Sequence, residues 1–162
     1  MPLKLWALPN FAGASKSYEF AVDEIVDNSS ESAMVIDTRE SAWLIYSEPQ
    51  FQGECDVVES TANLVATRER VRSFRPIPRN TPCIALFEHS GYRGRMRVVT
   101  GPTTSLGEFN DRVTSVIVTS FIWDLFEHND YGGKSVRLRP GRYRDPAAVG
   151  LGNDTLSSLR PT

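Results

Sequence analysis

Short apolar stretches, few of them longer than a strand, punctuate the whole chain. Segments such as Trp43-Leu44-Ile45-Tyr46, Arg70-Val71-Arg72-Ser73-Phe74, Ser115-Val116-Ile117-Val118 and Trp123-Asp124-Leu125-Phe126 mix β-branched and aromatic residues, and Gly, Pro and Asn bound them. This pattern predicts short β-strands joined by turns. No segment sustains apolar residues at helical spacing, so the expected fold class is all-β.

The strands recur in a repeat. An aromatic, four residues, an aromatic, one residue and a Gly occur as Trp6, Phe11, Gly13; Tyr46, Phe51, Gly53; Phe87, Tyr92, Gly94; and Phe126, Tyr131, Gly133, with the glycines 40, 41 and 39 residues apart. Each motif closes on a Ser that opens a strand: Ser32, Ser73, Ser115 and Ser158. The glycine predicts a hairpin backbone at positive φ or a close approach of chains, with the aromatic packed over the bend. The Ser hydroxyl predicts bonds to hairpin backbone groups. Beside Ser73, Ser115 and Ser158 no His or acid stands in sequence to activate the hydroxyl as a nucleophile.

A repeat near 40 residues also fits a propeller blade, but these motifs pair instead of forming a ring. Trp43 and Trp123 mark the second and fourth motifs, 80 residues apart, and the proline-rich Arg75-to-Cys83 stretch between motifs two and three reads as a linker. Two domains follow, 1–79 and 80–162.

Composition narrows the partners. With 40% hydrophobic and 23% charged residues the chain has ordinary globular values. A net charge of -2 gives no basic footprint for nucleic acid, and no apolar run is long enough for membrane insertion. The N-terminus Met1-to-Asn10 lacks the apolar stretch of a secretory signal, so a cytoplasmic location is expected. Cys55 and Cys83 are then expected as reduced, buried thiols. Of the 18 basic residues, 15 are Arg and 3 are Lys. Arginine stacks on and pairs with planar groups in ways Lys cannot, although a GC-rich genome would also enrich it.

The four aromatic-and-Gly motifs with their serines resemble those of the βγ-crystallin superfamily. The segment from Trp123 to Asp145 looks like the second motif of a lens-type domain, with Tyr143 at the position of the family's tyrosine corner. The segment from Trp43 to Glu54 looks like the same motif in the first domain. The order of motifs resembles the two-domain animal type. The resemblance implies two βγ-crystallin domains, each a β-sandwich of two Greek-key motifs.

It also gives meaning to a string that occurs twice. Asn110-Asp111-Arg112-Val113-Thr114-Ser115 and Asn153-Asp154-Thr155-Leu156-Ser157-Ser158 match the family's calcium signature of two Asn or Asp residues, two free positions, Ser or Thr, and Ser. The resemblance implies that Arg112 and Thr155 offer backbone carbonyls, and that Thr114 and Ser157 offer hydroxyls. It implies that Asp111 and Asp154 reach across to exchange ligands between two sites, and that Glu88 and Glu127 add a further carbonyl each. Calcium takes six to eight oxygens in flexible geometry, so such a set suits it. About one carboxylate per site predicts a weak Kd, on the order of 10⁻⁵ to 10⁻³ M. The Arg112 guanidinium, about 7 Å from a dication, would cost about 1 kcal/mol even in water, so its side chain is expected to swing away.

The first domain departs from the signature. Asp27-Asn28-Ser29-Ser30-Glu31-Ser32 carries Glu31 in place of the hydroxyl, where a carboxylate still offers oxygens in altered geometry, and Arg68-Glu69-Arg70-Val71-Arg72-Ser73 carries Arg72, a fixed cation. The recurring His89 and His128 have no Cys, His or carboxylate partners at zinc spacing. Nothing else points to catalysis, and the expectation is a non-enzymatic calcium-binding protein, either a monomer or a homodimer formed by domain pairing. The competing functions are a structural, lens-like crystallin without calcium, and an interaction module for a protease, a glycan or a membrane-associated partner.

Overall fold

A computed structural model describes residues 3–8, 12–25, 32–35, 41–58, 62–63, 71–79, 81–152 and 155–162. The chain gathers into two compact units, Met1–Pro78 and Arg79–Thr162. The first holds β1 (Leu3–Leu8), β2 (Ala12–Tyr18), β3 (Ser32–Val35), β4 (Ser41–Glu48), β5 (Gln52–Val58), β6 (Ala62–Asn63) and β7 (Ser73–Pro78). In the second are β8 (Cys83–His89), β9 (Arg93–Val99), β10 (Ser115–Ser120), β11 (Trp123–His128), β12 (Gly132–Leu138), β13 (Gly141–Tyr143) and β14 (Ser158–Pro161).

Each unit is two antiparallel sheets, ordered β2-β1-β3-β6 and β5-β4-β7 in the first, and β13-β10-β8-β9 and β12-β11-β14 in the second. The order reveals an exchange. β6 leaves its own motif to pair with β3 of the other, and β13 likewise pairs with β10. The reciprocal crossings are single bridges, Val22 to Phe74 and Thr103 to Leu159. Each motif therefore sends its third strand into its partner's sheet, which is the Greek-key arrangement of a β-sandwich.

Alternation along the strands decides which side chains meet between the sheets. In the second unit, Ile84, Leu86, Val116, Val118, Trp123, Leu125 and Leu159 lead the buried cluster. In the first, Leu3, Leu5, Trp43, Ile45 and Phe74 do so. Burying each such side chain contributes about 1.5–3 kcal/mol before chain entropy is counted. Cys83 is buried as expected, Cys55 is only half-buried because it lies on β5 of the three-stranded sheet, and neither forms a disulfide.

The repeat residues share one local device. In three motifs the two aromatic rings meet edge-on or tilted, with centroids 5.6 Å apart for Tyr46 and Phe51, 5.6 Å for Phe87 and Tyr92, and 5.4 Å for Phe126 and Tyr131. The glycine that follows has φ of +79° at Gly94 and +76° at Gly133, and a Cβ at either would lie 2.5 Å from the ring Cδ2 of His89 or His128. The two histidines that recur 39 residues apart thus lie over the glycines as part of the hairpin fold. Each Ser then clasps the bend. Ser115 Oγ accepts from Tyr92 N at 3.0 Å and donates to His89 O at 2.6 Å. Ser158 does the same with Tyr131 and His128, and Ser73 with Phe51 and Glu48. Ser32 is described only in its backbone.

One detail departs from a purely strand-and-turn reading. A single helical turn, α1 (Pro146–Val149), starts at Asp145, whose carboxylate accepts from Ala148 N, and ends at Gly150 with φ of +86°. Four residues are too few to show a 3.6-residue period. Tyr143 donates its hydroxyl to Arg139 O at 2.8 Å, closing the corner between β12 and β13. Among the described residues no helix is long and apolar enough to cross a membrane.

Candidate metal site

Two loops of the second unit approach each other because hydrophobic residues pin both. Phe109 and Val113 anchor the loop before β10, and Leu151 and Leu156 anchor the loop before β14. Pinned in this way, Thr114 donates its backbone N–H to Phe87 O at 2.9 Å, and Ser157 donates its own to Phe126 O at 2.9 Å. The fifth signature residue therefore sits beside the hairpin aromatic of its own motif in both loops. Thr114 Oγ1 then donates to Glu88 O at 2.8 Å.

The loops are laced together. Asp111 donates its backbone N–H to Leu156 O at 3.1 Å, and Leu106 donates to Ser157 O at 3.1 Å. Asp111 has φ of +58°, a left-handed conformation that Asp enters more readily than most side chains. Its carboxylate reaches the other loop, where Ser157 Oγ lies 3.3 Å from Asp111 Oδ1 and 3.5 Å from Thr155 O. Asn110, Asp111, Glu127, His128, Asn129, Thr155 and Ser157 line one surface cavity of about 580 Å³.

Those two distances are long for a hydroxyl donor, whose usual range is about 2.5–3.0 Å. They match the spacing of oxygens around one calcium ion. Oxygens bound at about 2.4 Å and near right angles lie about 3.4 Å apart. Thr155 Oγ1 turns back to Leu151 O and Gly152 O, at 3.1 and 3.3 Å, which leaves its carbonyl as the group nearest Ser157. The donor set is carboxylate, hydroxyl and carbonyl. It suits a hard cation and lacks the thiol or imidazole pairs of a transition-metal site. Among the described residues no three His, Cys, Asp or Glu side chains gather to hold a metal.

The loops hold one unsatisfied atom. Asn110 Oδ1 is buried without a hydrogen-bond partner, a state that costs about 1–3 kcal/mol if nothing else fills it. Reading the signature for its implied ligands passes over this residue, and only its burial reveals it.

The remaining positions are distributed as follows. Arg112 is exposed, and its N–H caps Phe109 O at 3.1 Å. Glu88 turns its carboxylate outward to Arg95 Nε at 2.7 Å and His89 Nε2 at 3.4 Å, so its backbone oxygen is what faces Thr114. Glu127 pairs similarly with His128 Nε2 at 3.2 Å. Asn153 and Asp154 lie outside the described residues, as do Glu31, Arg68, Glu69 and Arg70. Arg72 is described. It donates its N–H to Tyr46 O at 2.8 Å, so this cation occupies in the first unit the backbone position of Thr114 and Ser157.

Arg95's hydrogen bond holds the Glu88 carboxyl below its ordinary value of 4.5, with smaller help from the charges of Arg95, His89 and Arg112. A carboxyl depressed in the folded state contributes stability that is present above the unfolded value and is lost as pH falls through the folded one. Arg95→Leu is expected to raise the Glu88 titration midpoint toward 4.5 by carboxyl-detected NMR. An unmoved midpoint would rule out the pairing.

With this geometry in view, comparison with known proteins becomes specific. The Beta/Gamma crystallin family model matches residues 83–162. Gamma-crystallin D of Rattus norvegicus is 33% identical over 128 residues, an alignment that spans 73% of this chain and 72% of the rat protein. The chain belongs to the βγ-crystallin family. Beta-crystallin B1 of Homo sapiens is similar to this crystallin along nearly its whole length, with 26% identity over 170 residues, 98% of this chain and 68% of the human one. Among solved structures, Geodin, a βγ-crystallin from Geodia cydonium, superposes with a TM-score of 0.82 over 99% of this crystallin and 98% of Geodin. At 20% identity that likeness shows the shared two-domain fold alone.

Proposed function

We propose that this crystallin is a non-enzymatic calcium-binding protein whose second unit binds two ions and is stabilised by them. The fourth-motif site would use the Asp111 carboxylate, the Glu127 and Thr155 carbonyls and the Ser157 hydroxyl. Its third-motif counterpart would use the Glu88 and Arg112 carbonyls, the Thr114 hydroxyl and Asp154. One observation carries the reading: Asp111 and Ser157, 46 residues apart, hold their oxygens 3.3 Å from each other in a cavity lined also by Glu127 and Thr155. Bound calcium neutralises the carboxylate and ties the two loops to one centre. At 100 times Kd, one site adds about 2.7 kcal/mol of stability by mass action.

Calorimetric titration of calcium into chelator-treated protein tests this, beside Asp111→Ala with Asp154→Ala. The expected result is two weak events with Kd on the order of 10⁻⁵ to 10⁻³ M, a calcium-dependent rise in Tm, and loss of both in the double variant. No heat and no rise in Tm at millimolar calcium would refute the reading. A structural crystallin without calcium would then lead, and the arginine stacks on the paired aromatics of motifs two and four, Arg75 over Phe51 and Arg160 over Tyr131, favour that alternative.

A further inference from the structure

We infer that the tip of the β8–β9 hairpin binds a small phosphate-class oxyanion, held between the guanidiniums of Arg93 and Arg144 in the space that Gly91 leaves open. The site uses none of the calcium-ligand residues and stands whether or not calcium binds. Gly91 donates its backbone N–H to Arg144 O at 2.8 Å, which brings the segment after β13 against the hairpin tip. A Cβ at Gly91 would lie 3.5 Å from Arg93 Nε and 3.9 Å from Arg144 Nη2, so two cationic side chains converge on one point from separate elements.

The repeat makes this open space particular to the third motif. The same hairpin position is Gln50 in the second motif and Asp130 in the fourth, with φ of +61° and +55°. The bend therefore accepts residues with side chains, and the φ of +68° at Gly91 does not by itself require glycine. Glycine here keeps the space between the arginines clear. The residue after the second aromatic is likewise Gln52 and Gly132 in those motifs, and Arg93 in this one.

Like charges repel, and an anion between them offsets the repulsion. Among the described residues neither guanidinium has an ion-pair partner. The neighbouring acids are engaged elsewhere: Asp145 accepts from Ala148 N, and Glu88 pairs with Arg95 and His89. Arg93 Nε donates to Ser90 O at 2.8 Å, which fixes that side chain along the hairpin and leaves its two Nη groups as donors. Arg144 is exposed and brings Nη2 to the same place. The planar guanidinium fork matches phosphate oxygens, and its charge-assisted bonds are about twice as strong as neutral ones. Two arginines suit one oxyanion, and a chain with a net charge of -2 has no footprint for a polyanion.

Inorganic phosphate and phenyl phosphate are titrated separately into chelator-treated protein at low salt, with the arginine side-chain N–H resonances followed by NMR. The expected result is saturable shifts at Arg93 and Arg144, with Kd on the order of 10⁻³ M. Binding of both ligands extends the site to phosphomonoesters, and binding of phosphate alone confines it to the free anion; either outcome supports the inference. Arg144→Gln is expected to weaken binding about tenfold with Tm unchanged. Gly91→Asp sets between the arginines the acid that the fourth motif carries at this position, and is expected to abolish binding with Tm equal to or above native. If Arg93 only braces the bend through Ser90, the native resonances do not move with either ligand, and the inference falls. Shifts that persist unchanged in Arg144→Gln and Gly91→Asp would put the anion elsewhere and also overturn it. If Gly91→Asp does not fold, Arg144→Gln, altered at an exposed side chain, decides by itself.

Discussion

Trp123→Ala is expected to destabilise the second unit by about 3 to 5 kcal/mol, the range for deleting a fully buried large aromatic. Trp123 has no exposed surface and opens β11, where it packs among Ile84, Val116, Leu138 and Leu159. Its indole N–H donates to Ser120 O at 3.1 Å, so the substitution removes both a large apolar group and the donor to that carbonyl. For a unit of this size the loss corresponds to a fall in Tm of more than about 12 °C. Urea unfolding followed by circular dichroism measures it without relying on tryptophan emission. A loss below about 1 kcal/mol would show that the indole is not a keystone of the cluster.

The second large effect is a contrast between two arginines at the same repeat position, two residues after the motif serine. Arg75 follows Ser73 and Arg160 follows Ser158. Both guanidiniums lie over the second aromatic of their motif, 4.4 Å from the Phe51 centroid and 4.4 Å from the Tyr131 centroid. Burial separates them. Arg75 is 5% exposed and donates Nε to the Tyr46 hydroxyl at 3.1 Å, whereas Arg160 is exposed. Burial pulls the Arg75 guanidinium below its usual range and pushes the Tyr46 phenol above its own.

A desolvated cation–π contact is worth about 2 kcal/mol, and losing the charged Arg75 donor to the buried Tyr46 hydroxyl adds about 1–3. Arg75→Ala is therefore expected to cost about 3–5 kcal/mol, and Arg160→Ala about 0.5–1, the value for an exposed contact. Equilibrium unfolding of the two variants side by side measures the difference. Equal losses would mean that the stack, not its burial, sets the energy.

Much of this molecule is legible in one dimension. The paired aromatics, the glycine and the serine act within one hairpin and its closing strand, so each motif writes its own device, and the Ser115 clasp between His89 O and Tyr92 N is one such device. The exchange of third strands is harder to read. β6 has two residues, and Val22 and Thr103 contribute single bridges, so no two-residue alternation exists to announce them. α1 escapes for the same reason. At the site, both signature strings stand out in the sequence, but nothing local tells Asp111 that its side chain belongs to the loop of Ser157.

The amino-acid sequence by itself determined the all-β class, the four motifs and the residues that bend each hairpin, because those choices rest on backbone sterics and alternation over a few positions. Only the tertiary structure decided which arginine lost its water, which amide oxygen was left without a partner, and that two loops 46 residues apart share one cavity. Burial and long-range contact depend on how whole sheets pack, and no short stretch of chain encodes that packing by itself.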